Sequence, residues 1–563
     1  MSFAPSIQDR KNWGRRERLA LFGLMLAFVG FASYRIHSPG LYYDELLFVP
    51  AAMGRHASLQ APYRSWLGIP LMIFPYIGAL KAWIYAPIFR LFGVSALTIR
   101  LPVILISCST LALGYAVVRR VLFPVWAIAF TAACVVHPGF VLQTKVDWGP
   151  VVLMLFFKAL SLYFLVKWLE NPRLRSWSLI GVIAVCGLGF FDKFNFVWFI
   201  VAVVIATAVV YGGEIRARVK DAPKGLAAVI VIAIAVAGAV VVLRFVLPLV
   251  VLPQMHLIST RFFHFWRIYE VSSTGSATAF HWFKKPPPIP LWPGWAVLAV
   301  SAGFLLLTLV SCCCKPDLRF RVHSGALRFS FWCLIMFIVI FTEIVMTPQA
   351  GGPHHTLMLF PLDLLACFAA AFVFANILPV WGHRVATIFC GLALLVWASF
   401  QIQGLQRHFC RFGDPNLFRG PWSPRIEQLA DYLNTNGKQF DAIYCVDWGI
   451  GQQIRALCRR DIRQKLRDIW PTFKNWSAQR PDAQAMVKAW FSPQKKTLYL
   501  AYTDENSVFA AAKCNFSQMN TLAGNSARLV TTIPPALRAV YELFASGTEQ
   551  VRKSASERRL ALQ

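Results

Sequence analysis

Apolar runs of roughly 17 to 25 residues, the length that crosses a bilayer as a helix, recur through the first 400 positions. They lie near 19–35, 99–118, 122–138, 151–169, 178–191, 194–211, 226–252, 291–312, 329–346, 357–380 and 385–402. The pattern predicts about eleven transmembrane helices. Alternate connections are basic: Arg119-Arg120; Arg173 and Arg175; Arg216, Arg218, Lys220 and Lys224; Lys315, Arg319, Arg321 and Arg328; His383-Arg384. Together with Arg15, Arg16 and Arg18 ahead of the first run, they put the N-terminus on the cytoplasmic side. The first run lacks a small-x-small cleavage site and reads as a retained helix. An odd number of spans carries the C-terminus to the opposite side.

The remaining connections differ in kind. The stretch 37–98 is long and Pro-punctuated, and reads as amphipathic helices along the membrane surface. Beyond 403 the hydropathy falls. The pattern there predicts a helix over 426–433, a strand over 441–446, a helix over 451–459, a strand over 496–502 and a helix over 505–514. That alternation is expected of a small extracytoplasmic α/β domain. The expected division is a transmembrane module, 1–402, and a soluble domain, 403–563.

Composition agrees with a membrane class: 57% of residues are hydrophobic and 15% charged, with a mean hydropathy of +0.54. The formal net charge of +30 does not make this a nucleic-acid binder. The basic residues sit in short clusters between apolar runs, and no zinc-finger spacing, RNA-binding aromatic motif or P-loop is present. Cys312-Cys313-Cys314 falls at an inner face, where thiols stay reduced or carry palmitate. Cys410, Cys445, Cys458 and Cys514 fall outside, where disulfides persist; four cysteines allow three pairings and the sequence chooses none.

The candidate chemistry lies in the outer connections. Asp44 and Glu45, in Tyr42-Tyr43-Asp44-Glu45, stand just beyond the first span. A charge at a membrane face is solvated, paired or functional. The pair reads as a helix start, or as a general base with a second carboxylate to hold it. Asp147, in Lys145-Val146-Asp147-Trp148-Gly149-Pro150, is equally a cap for the helix that follows and a further acidic site residue. Lys193 lies on a very short hairpin after Asp192, placed to grip a phosphate as a point charge. His354 and His355 enter a span from a Gly/Pro-rich loop, and Arg55 and Lys145 are further cations on the same side. In the C-terminal segment, Asp447-Trp448-Gly449 echoes Asp147-Trp148-Gly149, an echo that a strand-end turn explains. Carboxylates and cations thus gather on one face from distant loops.

On Tyr43-Asp44-Glu45, Lys145-Val146-Asp147-Trp148-Gly149-Pro150, Gly189-Phe190-Phe191-Asp192-Lys193-Phe194 and the His354-His355 loop, the chain resembles the GT-C fold glycosyltransferases that use polyprenyl-phosphate sugars. It is most similar to the bacterial branch that includes protein O-mannosyltransferases, lipid A aminoarabinose transferase and rhizobial galacturonosyltransferases. The resemblance covers about 16–402. It implies a multi-pass protein of the bacterial inner membrane, with a polyprenyl-phosphate sugar donor and a glycolipid, polysaccharide or protein acceptor. It also implies catalytic roles for Asp44, Glu45 and Asp147. Lys193 would contact the donor phosphate, with Arg55, Lys145, His354 and His355 as further phosphate ligands. A divalent cation, Mg2+ or Mn2+, on Asp44 and Asp147 is compatible with the resemblance and not demanded by it. The segment Phe190-Phe191-Asp192-Lys193 departs from the small residue-Thr-Lys-Gly pattern of relatives, and no Trp-Trp-Asp tripeptide occurs.

Two rivals share the topology. A lipid-linked sugar flippase calls for broken helices at the midplane and repeated halves, which the sequence does not show. A polysaccharide polymerase or ligase rests on outer-loop Arg and His and leaves Asp44 without a role.

Overall fold

The computed structural model describes residues 14–54, 63–170, 177–220, 255–314, 324–347, 350–492, 494–535 and 538–547. Its first part is a helical membrane module. In chain order it comprises α1 (Arg15–Ser33), a three-stranded sheet, α2 (Leu80–Phe92), α3 (Ala96–Val121), α4 (Pro124–Val135), α5 (Pro138–Val146), α6 (Val152–Leu169), α7 (Trp177–Asp192) and α8 (Val197–Lys220). After 254 follow α9 (Met255–Ser273), α10 (Ser276–Trp282), α11 (Trp292–Cys314), α12 (Ser324–Met346), α13 (Leu362–Ile377) and α14 (Val380–Arg411).

Among the described residues seven helices are long and apolar enough to span, or up to eight if the α4–α5 pair, bent by 57°, is one span. The eleven expected are not reached among the described residues, for identifiable reasons. The first turn of α1 holds Arg15, Arg16, Glu17 and Arg18, α7 has only 16 residues, and the run at 226–252 lies outside the described residues. The α4–α5 bend sits at His137-Pro138. Pro138 has no N–H to continue the ladder, and His137 Nδ1 caps the new helix by accepting from Phe140 N at 3.2 Å. Helix α3 is closed at its start by a reciprocal Ser95–Thr98 capping box.

The first outer connection is not purely helical, as its pattern suggested. Strands β1 (Arg64–Trp66), β2 (Ile69–Phe74) and β3 (Ile77–Gly78) form an antiparallel sheet. Leu67 and Gly68, both at positive φ, make the two-residue turn that such a hairpin favours. The sheet matters because it seats Lys193: Ile77 bridges to Lys193, and Phe194 N donates to Tyr76 O at 3.0 Å. Gly78 permits the approach, since a Cβ there would lie 2.1 Å from Phe191 O.

Helix α14 runs past 402–403 to Arg411, and the C-terminal sheet follows it. Here α15 (Ile426–Asn436), β4 (Ala442–Cys445), α16 (Ile450–Leu457), β5 (Leu466–Asp468), β6 (Thr497–Tyr502), α17 (Ala510–Leu522), β7 (Arg528–Ile533) and β8 (Tyr541–Ser546) build a mixed five-stranded sheet, order β5-β4-β6-β8-β7. Strand β4 is parallel to both β5 and β6, whereas β6, β8 and β7 are antiparallel. Apolar side chains cover both faces, with Ile443, Leu498 and Leu543 on one and Tyr499, Phe516 and Met519 on the other. The anticipated α/β alternation is present, with β5, β7 and β8 added. All thirteen cysteines are free thiols, so none of the open pairings is formed.

Candidate active site

The C-terminal domain is seated on the membrane module at the loop that carries Asp44. Ala456 of α16 joins a cluster with Leu41, Leu46 and Val49. Gln453 Nε2 bridges Leu41 O and Pro421 O. Lys284–Glu505, at 2.7 Å, and His37–Glu427, at 2.8 Å, tie the rim.

Tyr43–Leu46 forms one 3-10 turn, so Asp44 and Glu45 point in different directions. Glu45 is buried against Arg100, with Oε1–Nη2 at 2.7 Å and Oε2–Nε at 3.0 Å. It also accepts from Tyr42 N at 2.7 Å. The same guanidinium donates to the carbonyls of Ile36, Pro39 and Gly40. Glu45 is therefore the brace that holds this loop, with its carboxylate turned away from the site. A buried carboxylate needs such a partner.

Asp44 is half-buried, with the backbone N–H of Gly149 close enough to favour its charged form. Burial lifts its carboxyl to about 6, while Lys193 and the Gly149 N–H pull the other way and Asp147 and Glu45 add to the rise. Lys193 Nζ donates to Gly149 O. Burial brings the lysine down to about 8, with Asp44 and Asp147 opposing. The short peptide Trp148-Gly149-Pro150 thus faces the carboxylate with one amide, through the Gly149 N–H, and holds the ammonium with the next, through the Gly149 C=O.

That peptide is fixed by its neighbours. Asp147 ends α5 in the left-handed region at φ 49°, and Gly149 follows at φ 71°. Asp147 Oδ1 accepts from Val151 N at 2.8 Å and Val152 N at 2.9 Å, capping α6. Its Oδ2 is paired with Lys81, a buried lysine in the first turn of α2 that the sequence pattern did not single out. The cap and the site are one structure: Asp147 sets the path of Trp148-Gly149-Pro150. His354 lies over Gly149, where a Cβ would meet its ring at 2.4 Å, and its buried Nδ1 has no hydrogen-bond partner among the described residues. His355 lies beside it, with ring centroids 4.1 Å apart and the planes tilted by 42°, and accepts from Gly352 N at 3.2 Å.

The other cations fare differently. Lys145 is buried among main-chain oxygens, donating to Tyr34 O at 2.6 Å, Arg35 O at 3.2 Å and Ala32 O at 3.4 Å. It staples α5 to the end of α1 and does not reach the loop of Asp44. Arg55 lies outside the described residues. Aromatic rings wall the site: Tyr42 stacks on Trp422 at 3.6 Å, Trp148 lies 5.5 Å from Trp422 and 5.9 Å from His354, and Trp448 lies 5.2 Å from Tyr43.

A family model described as dolichyl-phosphate-mannose-protein mannosyltransferase matches residues 78–242, a stretch that holds Lys81, Asp147 and Lys193. Among curated proteins none matches the sequence significantly. In structure the chain is similar to ArnT from Cupriavidus metallidurans in the apo state, with 15% identity, a TM-score of 0.50, and 94% of this chain and 98% of that one covered. It is similar again to ArnT bound to undecaprenyl phosphate, with 14% identity, a TM-score of 0.51, and coverage of 95% and 98%. The fold is that of a GT-C glycosyltransferase. The resemblance read from the short loop motifs and the enzyme class it implied are both borne out. The matched segment supplies the lysine side of the candidate site, and the loop with Asp44 lies outside it.

Proposed function

We propose that the enzyme transfers a sugar from a polyprenyl-phosphate donor to an acceptor hydroxyl at the outer face of the membrane, in one displacement that inverts the anomeric centre. The observation that carries this reading is the Gly149 peptide, with Asp44 on its N–H and Lys193 on its C=O. Asp44 takes the proton of the acceptor hydroxyl as its oxygen bonds to the anomeric carbon. The bond from that carbon to the phosphate oxygen breaks, and the polyprenyl phosphate leaves with the electron pair. Lys193 has three N–H groups and gives one to Gly149 O, so two remain for the phosphate. A carboxyl near 6 beside an ammonium near 8 puts base and cation in their working forms around neutrality.

The donor class is supported by the ArnT structure that holds undecaprenyl phosphate. The basic connections support a cytoplasmic N-terminus, an outward site and an inner-membrane location. A divalent cation does not fit the residues present: both oxygens of Asp147 are engaged by α6 and Lys81. Among the described residues no group of three or more His, Cys, Asp or Glu stands together.

The test is transfer of radiolabelled sugar from a panel of polyprenyl-phosphate sugars by purified enzyme in liposomes. Asp44→Asn is expected to lose about 10²–10⁴-fold in rate, the usual worth of a general base, while donor binding persists. Donor crossing the bilayer with no bond made, and no effect of Asp44→Asn, would overturn the reading.

A further inference from the structure

The second Asp-Trp-Gly triplet, Asp447-Trp448-Gly449, is only partly accounted for by its turn. Asp447 Oδ2 accepts from Tyr502 N at 3.0 Å and Oδ1 from Ser507 Oγ at 2.6 Å, which locks the ends of β4 and β6 together. Gly449, at φ 91°, starts α16. Neither contact calls for an indole at position 448.

The position of Trp448 is more telling. It follows the carboxyl end of β4, between strands whose connections leave in opposite directions, β4 toward β5 and β5 back across to β6. In open α/β sheets that crevice is where ligands bind. Here it faces the catalytic loop, with Trp448 5.2 Å from Tyr43 and 6.1 Å from Tyr42. Trp148, Trp282 and Trp422 of the same aromatic cluster are 8%, 0% and 4% exposed. Trp448 is only half-buried. Two buried polar atoms nearby have no hydrogen-bond partner among the described residues, Tyr502 Oη and Gln453 Oε1. A Cβ built on Gly449 would lie 4.0 Å from Tyr502 Oη, which places that hydroxyl against the triplet.

We infer that Trp448 is a stacking platform for a pyranose ring of the acceptor, so that the C-terminal domain completes the site and the acceptor hydroxyl belongs to a carbohydrate. The inference rests on the transfer reading above. The C–H face of a pyranose packs on the electron-rich face of an indole, and its hydroxyls suit polar atoms that the protein leaves unmatched. A peptide acceptor would need backbone partners at this crevice, and the polar groups there are side-chain atoms from β6 and α16.

The experiment uses the full chain in lipid nanodiscs with an undecaprenyl-phosphate sugar donor. The acceptor probes are lipid A, a disaccharide-headed glycolipid, and a Ser/Thr-rich peptide. Lipid A is expected to be glycosylated. Its KM should rise about tenfold in Trp448→Ala and less than about threefold in Trp448→Phe, which keeps a stacking face. The KM for donor should stay unchanged in both variants. An unchanged lipid A KM in Trp448→Ala, a parallel change in donor KM, equal impairment by Trp448→Phe, or transfer to the peptide alone would each overturn the inference. Wild-type enzyme that transfers to none of the three probes would contradict the transfer reading by itself. Saturation-transfer NMR with the β-1,6-linked glucosamine disaccharide then decides the platform. Binding to wild type that is lost in Trp448→Ala supports it; absent or equal binding overturns it.

Discussion

Titration of transfer activity separates the two charges that share the Gly149 peptide. As the proposed base, Asp44 works only when ionised, and burial has raised it to about 6, so activity is expected to be lost as pH falls through that value. Lys193 neutralises phosphate only when protonated, and burial has lowered it to about 8, so activity is lost as pH rises through that value. The profile of kcat/KM, which reports the free enzyme, is then a bell centred near neutrality. For two such groups the fraction in the working form is roughly 80% at the centre and about 10% one unit beyond either limb. The flanks should therefore fall by roughly eight- to ninefold at about pH 5 and pH 9. Lys193→Arg is the diagnostic variant, because a guanidinium stays charged throughout this range. It should lower the rate overall and yet remove the alkaline limb. In kcat the wild-type alkaline limb should move upward, because a bound phosphate holds the ammonium protonated. The assay is initial-rate transfer of labelled sugar in nanodiscs at subsaturating donor. A wild-type kcat/KM that stays flat across both limbs, or an alkaline limb that survives in Lys193→Arg, would refute the pairing of roles.

Other outcomes follow from the braces around the site. Arg100→Met leaves Glu45 as a buried charge without its partner and is expected to cost about 3–5 kcal/mol, read as a lower unfolding midpoint in detergent. Glu45→Gln in that background should recover part of it. Lys145→Met should destabilise by about 1–3 kcal/mol by removing a buried donor from the carbonyls of Ala32, Tyr34 and Arg35 and leave donor KM unchanged; a raised donor KM with normal stability would restore Lys145 to the phosphate site. Gly149→Ala puts a Cβ 2.4 Å from His354 at a positive φ. It should abolish transfer with the fold retained, as judged by gel filtration and thermal melting.

Local chemistry made much of this legible in the sequence. Asp44, Asp147 and Lys193 stand out because ionisable residues beside apolar spans are rare, and the structure brings all three to one peptide. Glu45 and Lys145 stand out for the same reason but point elsewhere. The direction of a side chain on a single 3-10 turn, or one turn before a left-handed residue, depends on packing that no short motif records. Lys81 escaped notice because its partner is 66 positions away. The stacking of Tyr42 on Trp422 joins residues still farther apart. The sheet at Arg64–Gly78 was masked by prolines that resemble helix punctuation, while its Leu67-Gly68 turn was the signal available.

The shared Gly149 peptide also limits how such an enzyme can diversify. Asp44 and Lys193 meet two successive amides joined at the Gly149 Cα, so their spacing depends on the φ of 71° that Gly149 adopts. A side chain at position 149 would disfavour that left-handed conformation and re-space the two groups. Sugars of different bulk must then be accommodated by the walls, the rings of Tyr42, Tyr43, Trp148 and Trp422, and not by re-spacing the charges. Donor choice and catalytic power are in this way assigned to different atoms, and either can vary without dismantling the other.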